Sequence, residues 1–129
     1  MPLMDEQHAR QLSALQLAFM GDSVCDLLAR TYLMFEDYPV REMHARKVDA
    51  VNARAQAAQL DDVYHLLTQE ERDIVQRARN THLSHGIPQA ASREEYLKAT
   101  AYEAVMGYLY LTGQMRRAQL LFKMGRIKE

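Results

Sequence analysis

Apolar residues recur at helical intervals along most of the chain, and no stretch alternates as a strand would. The first periodic run predicts a helix over residues 11–34, with Leu12, Leu15, Phe19, Leu27 and Leu28 as its stripe. Pro39 disfavours helix at Tyr38, so residues 35–39 read as a loop. A second helix is expected over 40–60, with Met43, Val48, Val51, Ala55 and Ala58 facing inward. Asp61-Asp62 can cap a short turn through Leu67. Thr68-Gln69-Glu70-Glu71 and Ser92-Arg93-Glu94-Glu95 are capping boxes, each a hydroxyl followed three residues later by Glu. They open helices over 69–80 and 93–111, the second stopped by Gly113. Residues 81–91, with Gly86 and Pro88, form the longest loop, and a last helix spans 114–123. The expectation is an all-α bundle of about six to seven helices, one domain over residues 1–129, without repeat or linker.

Composition agrees. With 48% hydrophobic and 26% charged residues the chain can bury a core and is not of disordered type. Cys25 is the only cysteine, so no intramolecular disulfide forms, which fits a reducing compartment and a cytoplasmic location. No basic start precedes an apolar segment, and no apolar run is long enough for a membrane span. The net charge of −1 argues against a strongly basic nucleic-acid binder. That total hides an asymmetry: residues 1–40 hold two bases and six acids, while 114–129 hold five bases and one acid.

Two acids stand out. Asp22 has Ala18, Phe19 and Cys25 at helical-neighbour spacing, and Glu103 has Ala99, Thr100, Met106 and Gly107. A lone carboxylate is costly to bury unless paired or bound to a metal. Gly21 and Gly107 beside them allow two helices to approach closely. On one reading the helices cross and present both acids to a hard cation; on the other each acid sits at a helix edge in solvent or pairs with an arginine.

Leu17-Ala18-Phe19-Met20-Gly21-Asp22-Ser23-Val24 resembles the signature helix of the ribonuclease III catalytic domain. Ala99-Thr100-Ala101-Tyr102-Glu103-Ala104-Val105-Met106-Gly107 resembles that family's second acidic helix. Met43-His44-Ala45-Arg46-Lys47, Val51-Asn52-Ala53-Arg54-Ala55-Gln56-Ala57 and Gln76-Arg77-Ala78-Arg79-Asn80 are similar to segments of the Mini-III branch, which lacks a separate double-stranded-RNA-binding domain. Each motif is weak alone, but together they cover residues 11–113 in matching order.

The resemblance implies the ribonuclease III catalytic fold, working as a twofold homodimer. It implies a Mg²⁺-dependent endoribonuclease, with Mn²⁺ as substitute, that cuts double-stranded RNA to leave 5′-phosphate and 3′-hydroxyl ends. The implied substrate is the precursor of 23S ribosomal RNA, with a ribosomal protein as a partner on it. The implied catalytic and metal-binding pair is Asp22 and Glu103, with Asp26 and Thr100 as outer-shell candidates. Two acids of the wider family pattern are replaced here, by Ala18 and Thr100, as they are in Mini-III proteins. Phe19 matches an aromatic that inserts into the partner subunit, although periodicity alone reads it as core. RNA-contact candidates are Arg46, Lys47, Arg54, Arg77, Arg79, Asn80, His82 and His85; the bland reading of the arginines and lysine is solvated helix charge. His82 and Leu97 stand where the pattern has bases, which bears on substrate affinity rather than on the metal site. A non-catalytic RNA-binding or ribosome-assembly scaffold is the alternative function, and retention of both acids speaks against it.

Overall fold

The computed structural model describes residues 2–81 and 92–126. Within them lie seven α-helices and no strand: α1 (Glu6–Gln11), α2 (Ala14–Leu33), α3 (Val40–Val51), α4 (Ala53–Val63), α5 (Gln69–Arg79), α6 (Arg93–Leu111) and α7 (Met115–Arg126). A short 3₁₀ turn, Tyr64–Leu66, links α4 to α5. None of these helices is long and apolar enough to cross a membrane.

Helix starts follow local chemistry. Both expected capping boxes form: Thr68 accepts from the Glu71 N–H at 3.2 Å and Ser92 from the Glu95 N–H at 3.1 Å, and each Glu returns the bond. Gly113 adopts φ 78° just past α6, where a side chain would be strained. Two long helices expected from periodicity are each broken by a cap. Residues 11–34 divide at Ser13, an extended residue whose hydroxyl accepts from Gln16 N–H while the Gln16 side chain accepts from Ser13 N–H. Residues 40–60 divide at Asn52, whose side-chain oxygen takes the Ala55 N–H at 2.8 Å. The α4 helix runs past Asp61-Asp62 to Val63, so no new turn is capped there, and α7 extends to Arg126.

α6 is the central rod. Ten of its residues are buried, and α2, α4, α5 and α7 surround it. Against it α2 presents Leu17, Ala18, Gly21, Val24, Cys25 and Leu28. The stripe expected from periodicity is covered only in part: Leu28 is buried and Leu12 packs against the core, but Leu15, Phe19 and Leu27 point to solvent, and Phe19 is 82% exposed. Of Met43, Val48, Val51, Ala55 and Ala58, Val51 packs against the core, but α3 has no fully buried residue and α4 turns Gln56, Ala57, Gln59, Leu60 and Val63 inward instead of Ala55 and Ala58. These helices carry apolar residues on more than one side, and the position of α6 selects the side that is covered.

Candidate active site

The α2–α6 crossing is set by two glycines. A Cβ on Gly21 would lie 1.7 Å from the Glu103 carbonyl oxygen, and one on Gly107 would lie 2.1 Å from that of Leu17. The backbones therefore touch as no larger residue would permit. That contact fixes the helix turns carrying Asp22 and Glu103 against each other. Asp22 is exposed at the rim, and Glu103 is half-buried.

The two carboxyls meet. Burial first, then the Asp22 charge and hydrogen bonding with its side chain, push the Glu103 carboxyl up to about 8; the Gln56 side-chain amide acts in the opposite sense. Glu103 is thus an acid held beside another acid, and among the described residues no ion pair favours its ionised form. Two hard oxygen donors so disposed fit a hard divalent cation, which takes one or two carboxylates and completes its shell with water and phosphate oxygens. Among the described residues no cluster of three or more His, Cys, Asp and Glu side chains stands ready as a metal cage.

Asp26, one turn along α2 from Asp22, is held differently. Burial would raise its carboxyl, but hydrogen bonds from Lys47 and Arg30 outweigh that and hold it below the usual carboxylate range. The contacts are 2.9 Å to Lys47 Nζ and 2.6 Å to Arg30 Nε. Thr100, one turn before Glu103, is buried and its hydroxyl donates to the Tyr96 carbonyl at 2.9 Å. Cys25 lies fully buried behind the acids; burial, then Glu103, Asp22 and Asp26, push its thiol well up, which suits a packing residue and not a nucleophile.

The RNA-contact candidates fall into different places. Arg46 pairs with Glu42 at 2.9 Å and lies over the Tyr38 ring, 4.1 Å from its centroid. Lys47 is tied to Asp26. Among the described residues Arg54 and Arg79 make loose contacts, 3.7 Å to Glu95 and 3.6 Å to Glu94. Arg77 donates to the carbonyls of Arg10 and Leu12 at 2.8 and 2.7 Å, fastening α5 to the α1–α2 junction. Asn80 is exposed at the end of α5 and accepts from Gln76. His82 and His85 lie outside the described residues. Arg117, grouped by sequence with a basic end of the chain, is instead an internal anchor: it grips Glu71 through Nε at 3.0 Å and Nη2 at 2.9 Å.

Sequence reasoning passed over Gln56. It is only 3% exposed, and its Nε2 has no hydrogen-bond partner of good geometry. A polar residue on the inward face of α4, inside a motif already singled out, was the available signal.

A model of the ribonuclease III domain family matches residues 15–114. The Mini-ribonuclease 3 of Thermoanaerobacter sp. (strain X514) is 38% identical over 123 residues, covering 95% of this chain and 86% of that protein. That of Symbiobacterium thermophilum is 40% identical over 107 residues, covering 82% of each. A crystal structure of a Fusobacterium nucleatum protein superposes with a TM-score of 0.81 at 29% identity, covering 88% of this chain and 91% of that one.

Proposed function

Because this chain belongs to the ribonuclease III domain family, in its Mini-ribonuclease 3 branch, and is an endoribonuclease, we propose that Asp22 and Glu103 are its catalytic, cation-holding pair. The observation that carries this reading is the meeting of the two acids where Gly21 and Gly107 bring α2 and α6 into backbone contact. A ribonuclease III-type domain acts on double-stranded RNA, and the precursor of 23S ribosomal RNA, with a ribosomal protein bound to it, is the proposed physiological substrate. Work on that substrate places the protein in the cytoplasm.

A bound Mg²⁺, or Mn²⁺ in its place, supplies a hydroxide-like water and offsets charge developing on the phosphate and leaving oxygen. The chain's own residues do the rest. Asp22 and Glu103 would hold such a cation through their carboxylate oxygens. The glycine contact keeps the two acids in register. Lys47 and Arg30 hold Asp26 ionised one turn away, where it would serve as an outer-shell acceptor. Thr100, with its hydroxyl committed to the helix, closes the inner side without competing for the cation.

Duplex contact falls to exposed cations. A loose surface ion pair is worth little, so Arg54 and Arg79 can exchange Glu95 and Glu94 for RNA phosphates at small cost. Asn80 follows Arg79 directly in the chain, and the 81–91 segment after it carries His82 and His85. The exposed Phe19 side of α2 is the surface we assign to a second copy of the chain, giving two sites for two strands.

The test is cleavage of a double-stranded RNA with Mg²⁺ by wild type, Asp22→Asn and Glu103→Gln. Both variants should lose at least about a hundredfold in kcat, and equal activity in all three proteins would sink the assignment. For the dimer, light scattering at micromolar concentration should give twice the chain mass for wild type and the single mass for Phe19→Ala. A monomeric wild type would count against a two-strand mechanism.

A further inference from the structure

We propose that the cavity where the end of α2, the 34–39 loop, α3 and the end of α7 meet is a nucleotide pocket. It takes one unpaired nucleotide of the RNA substrate, through Tyr32, Tyr38, Arg46 and Arg126. This rests on the assignment of Asp22 and Glu103 above, which fixes where the cut is made.

The cavity holds about 640 Å³, within the usual size of small-ligand sites, and neither acid of the pair lines it. Its walls are rings and guanidiniums already set against one another. Tyr32 is stacked on the fully buried Phe122, centroids 5.6 Å apart and planes at 25°, which fixes its ring. Arg126 lies over the same pair, 5.4 Å from the Tyr32 centroid and 5.6 Å from that of Phe122. From α3, Arg46 lies over the Tyr38 ring at 4.1 Å. Phe35 adds a third ring to the lining and is 84% exposed. A guanidinium oriented in this way can stack on a base or fork onto a phosphate. Arg46 is tied to Glu42 at the surface, a pair that yields at small cost.

Two carboxylates, Glu36 and Asp49, also line the cavity and balance the two guanidiniums. A site for bare phosphate would not carry them. A nucleotide uses both signs: its phosphate suits a guanidinium, and an exocyclic amine of cytosine, adenine or guanine donates to a carboxylate. Uracil has no such amine.

The cavity is continuous with the acid pair. Asp22, Asp26, Ala29 and Leu33 follow at helical-neighbour spacing on α2, and the last two line the cavity. From Asp22 to Ala29 the helix rises roughly 10 Å. On α3, Lys47 grips Asp26 at 2.9 Å while its neighbour Arg46 lines the cavity. Bases stacked in a duplex hide their faces, so the nucleotide that reaches these rings is one splayed from the helix.

The experiment measures KM and kcat at saturating Mg²⁺ for a fully paired RNA and for a series with one unpaired cytidine or uridine at successive positions from the cut. Wild type, Asp22→Asn, Tyr38→Leu and Arg126→Gln are compared; Tyr38 is half-buried and Arg126 exposed, so neither change cuts into the core. Calorimetry with cytidine 5′-monophosphate tests a free nucleotide as the alternative occupant. At one register the unpaired cytidine should lower the wild-type KM about tenfold below that of paired RNA, and uridine should lower it less. Tyr38→Leu and Arg126→Gln should lose that gain, yet melt near wild type and cut paired RNA at the wild-type kcat. A KM indifferent to the unpaired cytidine at every register, or a gain kept in both variants, would overturn the proposal. So would binding of the free monophosphate without any register effect in RNA. Cleavage by Asp22→Asn at the wild-type rate would instead overturn the acid pair, and with it the placing of the cavity beside the cut.

Discussion

Glu71 and Glu103 are both acids turned inward, and the protein treats them in opposite ways. Glu71 is 3% exposed. Burial by itself would raise its carboxyl, but the two Arg117 hydrogen bonds and the Thr68 N–H outweigh that and hold it below the usual range. Arg117 also donates to the Leu66 carbonyl, so the pair locks α7 to the start of α5. The Glu103 carboxyl is pushed up to about 8, by burial first and then by the Asp22 charge, because the neighbour it meets is another acid and does not offset the burial. A structural acid finds its cation within the chain. Glu103 is left short of one, and the tight glycine crossing holds it in that position.

The largest effect should come from breaking the crossing that forces the two acids together. Gly21→Ala places a methyl group against the Glu103 carbonyl and must push the helix backbones apart. We expect a loss of more than about 3 kcal/mol in urea unfolding, out of a total of about 5–15 kcal/mol. A variant as stable as wild type would mean that α2 and α6 can separate freely.

Next in size is removal of the Glu71 partner. Arg117→Ala should cost about 3 kcal/mol at pH 7, since it leaves a buried carboxylate unpaired. The sign with pH follows from the lowered carboxyl. The folded state holds Glu71 ionised more tightly than the unfolded chain does, so the stabilisation is complete above the ordinary Glu range. It fades as pH falls through the depressed native value. Thermal melts should therefore show the gap between wild type and Arg117→Ala narrowing on acidification. A constant gap down to pH 3 would assign the effect to packing.

The smallest effect has the opposite sign. Glu103→Gln removes a carboxyl that must either take up a proton or carry a charge beside Asp22 on folding, and should raise stability in metal-free buffer at pH 7 by about 1 kcal/mol, while abolishing cleavage. A drop in melting temperature would make Glu103 a structural acid of the Glu71 kind and remove the contrast.

Much of this was legible along the chain, because some signals are local. The Thr68 and Ser92 boxes need only residues within one turn, and both formed as read. Ser13 and Asn52 carried the same chemistry, but continuous apolar periodicity across them hid two breaks that a hydroxyl and an amide impose. Ordered motifs were enough to place the chain in its family and to single out Asp22 and Glu103. The core stripes were not legible. Leu15, Phe19 and Leu27 share α2 with Leu17, Val24 and Leu28, and periodicity does not rank one apolar side of a helix above the other. Arg77 and Arg79 differ by two positions in sequence, yet one binds carbonyls and the other faces a surface acid.

By itself, then, the sequence determined helix type, several helix ends, the family, and the two acids of the candidate site, all of which depend on neighbours within a few residues or on motif order. Tertiary structure alone decided which faces are covered, which arginines are anchors, and that Glu103 meets another acid while Glu71 meets an arginine. Those outcomes depend on groups far apart in the chain, and only the packing of α2, α4, α5 and α7 around α6 sets the distances over which charge and desolvation act.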